Sequence, residues 1–237
     1  MASYVLMEYY IRYLRDVRKL SESSIKHYTD ALNYISKYLI DKNKIETSIY
    51  EICDIGELEI AKEYLYNEPN FVMFDKRGHR MYSSGLNNYL KFANGEGFHN
   101  IHKEISLFDI EAPVGDQTLS ELKTWKRSSI IKLQTIESAN YECEMDVSHS
   151  TFIAKSSGHP YMEGHHAIPM NLQDKFDKSL DVYANIVCLC PICHRLLHYG
   201  IENEKEILLN QIYDKRSDRW AKCGIKISKN DFIKMVV

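Results

Sequence analysis

The sequence has little of several features that would assign it to a special class of protein. It contains no run of about 18 apolar residues, the length that a membrane-spanning helix needs. Ten glycines and five prolines in 237 residues are too few for a collagen-like or low-complexity chain. The apolar N-terminus carries Glu8 and lacks both a basic start and a small-residue cleavage site, so no signal peptide is expected. We therefore expect a cytoplasmic protein without a membrane segment.

The sequence also lacks a strong excess of one charge. Its net charge of −3 excludes a uniformly basic nucleic-acid binder but not a local basic face. Two short stretches could form such a face and are candidates for DNA contact: Arg15 and Arg18 in the first predicted helix, and Lys123, Lys126, Arg127 and Lys132 near the middle of the chain.

Cysteine and histidine are present and clustered. Four of the six cysteines and six of the ten histidines lie between residues 143 and 198. In a reducing compartment, clustered thiols indicate metal binding rather than disulfides. The sequence therefore predicts metal sites in this part of the chain.

Helical periodicity dominates the rest of the sequence. We predict a helical domain over residues 1–97, with Ser21 as an N-cap and an apolar stripe through Ile25, Leu32 and Leu39. Residues 98–119 contain glycine and proline and are predicted to be a linker. A second domain is predicted over 120–237, opening with a helix over 120–141 and closing with helices after residue 204. The fold class is α+β and mostly α.

Two histidines four residues apart point to one metal site. Pro191 suits the first turn of a helix and Gly200 suits its end, so His194 and His198 are predicted to project from one helix face. Two such imidazoles need a third ligand from elsewhere. The adjacent pair His165 and His166 is the nearest candidate.

Cys190 and Cys193 point to a second metal site. A C-x2-C pair is half of a tetrahedral zinc site, and Cys143 is the obvious third ligand. His149 is preferred as the fourth because structural zinc favours nitrogen over carboxylate, although Asp146 stays an alternative. One zinc finger built from the C-x2-C pair and the two helical histidines is disfavoured, because four ligands in nine residues leave no loop to wrap the ion.

The order of these residues resembles that of a known family. Glu-x-His-His-x-x-Pro at 163–169, then Asn185, then His-x3-His at 194–198 resembles the HNH endonucleases of the ββα-metal fold, the nuclease colicins among them. The added cysteines resemble the methyl-dependent restriction branch. The resemblance covers about residues 137–200. It implies a zinc-stapled ββα-metal nuclease domain, with helices following it.

The resemblance also implies a role for each residue. His165, His194 and His198 would bind the catalytic metal, and His166 would be the general base that activates water. Asn185 would orient the His166 loop, and Glu163 would accept a hydrogen bond that fixes a ligand ring. The catalytic ion could be Mg, Mn, Ni, Co or Zn, beside a structural Zn. Since neighbouring strand residues point to opposite faces, the backbone at 165–166 should be irregular or end its strand.

These inferences predict a metal-dependent DNA endonuclease, of restriction or defence type, that leaves a 5′-phosphate and a 3′-hydroxyl as the family implies. Cutting both strands would favour a homodimer. Homing or mobile-element nucleases and toxins are alternatives, as is a non-catalytic zinc-containing DNA-binding module. In the N-terminal helices, the pattern Ile-x-x-Tyr-x-x-Ala-Leu at 25–32 and the run Tyr-Ser-Ser-Gly-Leu-Asn-Asn-Tyr-Leu at 82–90 are similar to the SAM-like DNA-clasping domain of tyrosine recombinases. They would bind DNA or serve as an interaction or dimerisation module.

Overall fold

The computed structural model describes residues 5–101, 105–114, 117–118 and 124–236. The chain divides into two compact units, Met1–Gly97 and Phe98–Val237. Whether these units are separate folding domains stays a prediction. No helix in the described ranges is long and apolar enough to cross a membrane.

In its described residues, the first unit is built from helices joined by short turns and loops. Its α-helices are α1 (Val5–Arg12), which continues into a π-helical turn (Tyr13–Val17), α2 (Glu22–Asp41), α3 (Ile55–Asn67), α4 (Pro69–Arg77) and α5 (Met81–Ala93). Ser21 caps α2 by accepting a hydrogen bond from the Ser24 N–H, which confirms the predicted start. Helix α4 begins at Pro69, which occupies the first turn of the helix, where proline loses no hydrogen bond.

The core of this unit lies between α2 and α5. The predicted stripe of α2 is buried. Gly85 lets α5 approach α2 closely, since a Cβ at that position would lie 2.8 Å from the Cβ of Ala31. Tyr10 of α1 completes the core, with its ring edge-on to Tyr89 at 5.1 Å.

The second unit contains two small antiparallel sheets and the remaining helices. Strands β1 (Gln117–Thr118) and β2 (Thr124–Trp125) form one sheet; β3 (Glu163–His166) and β4 (Ile186–Leu189) form the other. The helices are α6 (Ser129–Ser138), α7 (Pro191–Tyr199), α8 (Glu202–Lys222) and α9 (Lys229–Val236).

The predicted helix over residues 120–141 was wrong in its first half. Thr124–Trp125 is a strand, and α6 begins only at Ser129. Ser128 stops the helix from extending backward, because its side chain accepts the Ile131 N–H while its own N–H donates to Asp181. Likewise, part of the predicted linker contributes to the core of this unit: Phe98 and Phe108 are buried and stack near Tyr183.

Candidate active site

The order of β3, β4 and α7 brings the predicted site residues together. β3 pairs with β4 in a register that sets His165 opposite Val187, and α7 follows one residue after β4. Pro191 opens α7 and Gly200 lies just beyond its end, as the sequence predicted. The helix therefore lies beside the strand that carries His165.

Three of the histidines form a symmetric cluster, which we call the histidine triad: His165, His194 and His198. The ring centroids lie 4.9, 5.1 and 4.8 Å apart, with the ring planes 77–81° from one another. One nitrogen from each ring lies within 4.8 Å of the others. Burial, with the neighbouring histidines, lowers the pKa of His165 to about 3, so its ring is neutral and able to donate a lone pair. This donor set fits a divalent ion.

Glu163 lies against one ring of the triad. Its Oε2 contacts Nδ1 of His194, and both side chains are about one-fifth exposed. A carboxylate on Nδ1 fixes the ring and leaves Nε2 for an ion, as carboxylate–histidine pairs do at metal sites. The ring that Glu163 would hold is thus His194.

His166 is the last residue of β3, so the strand ends where the sequence required it to end. Its ring does not join the triad but contacts Asp181, with Nε2 2.8 Å from Oδ1 and both side chains 13% exposed. The other oxygen of Asp181 accepts the Ser128 N–H at 2.7 Å. Sequence reasoning missed Asp181, because no motif spacing links it to His166.

Asn185 is fully buried and ties down the chain that follows His166. Its side-chain oxygen accepts the Ile168 N–H at 2.8 Å, and its NH2 group donates to the carbonyls of Ile168 and Leu180 at 2.9 Å each. These bonds connect the segment after β3 to the segment before β4. The arrangement is what an orienting role would require.

Three thiols and one imidazole form a second cluster, which we call the Cys3His cluster: Cys143, His149, Cys190 and Cys193. His149 directs Nδ1 at two thiols, 3.6 Å from Sγ of Cys190 and 3.4 Å from Sγ of Cys193. The cysteines are buried. Burial raises the pKa of the Cys143 thiol, but hydrogen bonds from backbone N–H groups and His149 outweigh this and lower it to about 7. The cluster could bind zinc.

Asp146, the alternative fourth ligand, is directed elsewhere. One carboxylate oxygen accepts the Ser148 N–H at 2.8 Å, and the other lies 3.9 Å from Nε2 of His149. The carboxylate therefore faces the outer nitrogen of the imidazole and not the thiols.

The predicted DNA-contacting residues differ in their surroundings. Lys123 lies outside the described residues, whereas Lys126 and Arg127 are exposed. Lys132 is exposed too, but the aliphatic part of its side chain crosses β3 at Gly164. A Cβ on residue 164 would collide with that part of Lys132. Arg15 is engaged by Glu22 at 2.8 and 3.1 Å, and Arg18 contacts the hydroxyl of Tyr13 at 3.4 Å.

Comparison with protein families supports this geometry. Residues 150–200 match the family described as HNH endonuclease. This segment is an HNH domain. It contains β3, β4 and α7 with the whole histidine triad. HNH nucleases use divalent metals, in agreement with the donors that the triad presents.

The chain also resembles a restriction enzyme. It is 34% identical over 86 residues to the type IV methyl-directed restriction enzyme EcoKMcrA of Escherichia coli strain K12. The matched region is 36% of this chain and spans only 28% of the length of that enzyme. No solved structure gives a significant match.

Proposed function

We propose that the protein is a metal-dependent DNA endonuclease of restriction type that hydrolyses phosphodiester bonds. The observation that carries the proposal is the convergence of three imidazoles on one point, beside a fourth that is held by a carboxylate, within an HNH domain. Three imidazoles offer a divalent ion three ligands and leave further positions open. An open position is what a catalytic site needs and a structural site does not.

The histidine triad would hold a divalent ion, whose charge stabilises the negative charge that develops on the phosphate during hydrolysis. His166 accepts the proton of the attacking water. An ionised Asp181 can only accept hydrogen bonds, so Nε2 of His166 donates to it and Nδ1 is left unprotonated. General-base assistance of this kind is worth about 10²–10⁴-fold in rate.

Asn185 and Glu163 act indirectly. Asn185 holds the backbone after His166 through hydrogen bonds to Ile168, and this keeps the imidazole of His166 in a fixed orientation. Glu163 holds the ring of His194 so that it presents Nε2 to the ion. Both are positioning residues in this proposal.

Lys132 is the basic residue best placed to contact the substrate. Its stem lies on β3 at Gly164, next to His165, and its side chain is exposed. We infer that its ammonium contacts a phosphate near the cleaved bond, as lysines contact phosphates in other sites. Lys123, Lys126 and Arg127 would add to the electrostatic attraction for DNA.

The restriction-type assignment draws on the similarity to the E. coli relative, which is a methyl-directed restriction enzyme. A homing or mobile-element nuclease would use the same site chemistry. A homodimer would let two such sites cut both strands. Arg15 and Arg18 would contribute to DNA binding only after release from Glu22 and Tyr13.

Plasmid nicking tests the proposal. Wild-type chain should convert supercoiled plasmid to open-circular DNA when a divalent ion is added, and His166→Ala should be slower by about 10²–10⁴-fold. His27→Ala, which removes an exposed histidine from α2, is the matched control and should cleave at the wild-type rate. Cleavage by His166→Ala at the wild-type rate would remove His166 as the base. An inactive wild type with Mg, Mn, Ni, Co and Zn would favour the non-catalytic DNA-binding module.

A further inference from the structure

Helix α5 of the first unit presents a continuous polar face to solvent. Ser84, Asn87 and Lys91 follow helical spacing and are exposed, and Arg80, the N-cap residue just before the helix, is exposed as well. The residues between them include most of the helix's buried side chains. We call this face the α5 stripe: Arg80, Ser84, Asn87 and Lys91. Each of its members can donate a hydrogen bond, and none is acidic or apolar.

The α5 stripe lies along two adjoining depressions in the surface. One is a cavity of about 330 Å³ lined by Arg80, Ser83, Ser84, Asn87, Asn88 and Lys91. The other, of about 310 Å³, shares Arg80, Ser83 and Asn87 with the first, and the rest of its lining is Tyr66 of α3 with Phe71, Val72, Asp75 and Lys76 of α4. The polar face is therefore concave, as a groove for an elongated ligand would be.

The charge of this groove is positive. Lys76, Arg77 and Arg80 are exposed, and in the part of the chain that the structure describes no carboxylate pairs with them. Asp75, the nearby acidic residue, turns inward and accepts the N–H groups of Tyr82 and Ser83 at 3.1 and 3.0 Å. Because Asp75 occupies these groups, an anion would be held by the side chains and not by the end of the helix.

The remaining polar groups of the stripe can also face a ligand. Asn87 accepts the Tyr66 hydroxyl at 2.8 Å through its oxygen, which leaves its NH2 group as a donor. Lys91 pairs with Glu96 at 3.1 Å, but both side chains are about half exposed. Exposed pairs of this kind contribute little, so Lys91 can exchange this partner for a phosphate.

We propose that the α5 stripe binds the phosphate backbone of DNA without reading its sequence. Lysine, arginine, serine and asparagine are the side chains that contact phosphates, whereas protein interfaces centre on apolar and aromatic anchors, which the stripe lacks. Eleven residues of helix span about 16 Å, a length over which one strand of a duplex presents about five phosphates. That the anion is DNA rests on the proposed nuclease function of the other unit.

Fluorescence anisotropy with a labelled DNA duplex tests the proposal. The full chain should carry His166→Ala so that the duplex stays intact. Adding Arg80→Ala and Lys91→Ala should weaken binding roughly tenfold, equally for unrelated sequences, and lower the slope of log affinity against log salt by about 2. Lys26→Ala with Lys37→Ala removes the same charge from the exposed face of α2 and is the matched control.

The outcomes separate this proposal from the proposed function. Equal affinity of the two double variants overturns DNA binding by the stripe, even if the wild-type chain cleaves plasmid, and leaves the stripe for an acidic protein partner. Selective weakening by Arg80→Ala with Lys91→Ala supports the stripe, even if the wild-type chain cleaves nothing. A thermal melt of each variant excludes loss of fold as the cause.

Discussion

The Cys3His cluster and the histidine triad lie in the same unit but differ in donors and access. Three of the four donors in the Cys3His cluster are buried thiols, and its only imidazole is partly exposed. The triad has imidazoles only, and their burial declines from His165, which is buried, to His198, which is exposed. A closed thiolate site stabilises a fold, whereas an open imidazole site leaves room for a substrate. Two metal-ligand sets a few residues apart can therefore serve different purposes.

The local connections of the two clusters sharpen this difference. Cys143 is brought to the C-x2-C pair by its neighbour Glu144, which accepts the Cys188 N–H at 2.8 Å and also contacts the buried Arg216. The Cys3His cluster thus links the loop after α6 to β4 and α7. The triad connects β3 and α7, which are already held near each other because β3 pairs with β4 and α7 follows β4 along the chain.

The largest difference in stability and zinc content is expected between a variant that loses a thiolate of the Cys3His cluster and one that loses an imidazole of the histidine triad. Cys193→Ala should remove the zinc, because a structural site contributes its binding energy to folding, and should unfold residues 98–237. His198→Ala should retain one zinc per chain and its near-UV circular dichroism, yet lose cleavage. Metal analysis after dialysis and thermal melting measure both outcomes.

Cys188→Ala is the matched control for this contrast, since Cys188 is a buried thiol outside the cluster. The Cys188→Ala variant should keep its zinc and lose only the packing energy of the buried side chain. If Cys193→Ala keeps its zinc and melts like the control, the Cys3His cluster is not a structural metal site.

A smaller effect, on the rate of cleavage, is expected when Asp181 is replaced. Asp181→Asn keeps the shape of the side chain but lets its amide donate to Nε2 of His166, which favours the wrong tautomer of the base. The kcat should fall by about 10–100-fold, which is the loss typical when a residue that hydrogen-bonds to a metal-binding histidine is replaced. The KM should change little. Steady-state cleavage of a labelled duplex measures both constants.

Asp181→Glu provides the comparison, because it restores a carboxylate and should recover part of kcat. If the Asn and Glu variants lose the same activity and stability, Asp181 serves only to hold Ser128 and the start of α6.

The smallest effect, on zinc content and melting temperature, is expected at Asp146, which lies beside His149 of the Cys3His cluster. Asp146→Asn removes a charge 3.9 Å from the outer nitrogen of His149, so the zinc content and melting temperature should stay close to wild type. His149→Ala should lose zinc under the same dialysis. Zinc loss from Asp146→Asn with retention in His149→Ala would make Asp146 the fourth ligand.

Much of the candidate site could be predicted because its spacing is local. The i, i+4 pair His194 and His198 projects from one helix face in any helix, and the C-x2-C pair precedes that helix in the chain. Helix α2 of the first unit could be predicted from its apolar periodicity and its N-cap. The break at Ser128 and the second helix starting at Pro69 could not, because each depends on a capping interaction that competes with helical propensity.

By itself, the sequence predicted the residues that the structure brings together as the Cys3His cluster and the histidine triad, and the order of the strands and helix that carry them. Only the tertiary structure decided which partner each side chain has: Asp181 for His166, Glu163 for His194, and the thiols for His149. It also showed that Arg15 is engaged by Glu22 while the α5 stripe stays open. The physical reason is that spacing along a helix or strand fixes the direction in which each side chain projects. A hydrogen bond between residues far apart in the sequence depends instead on how the helices and strands pack.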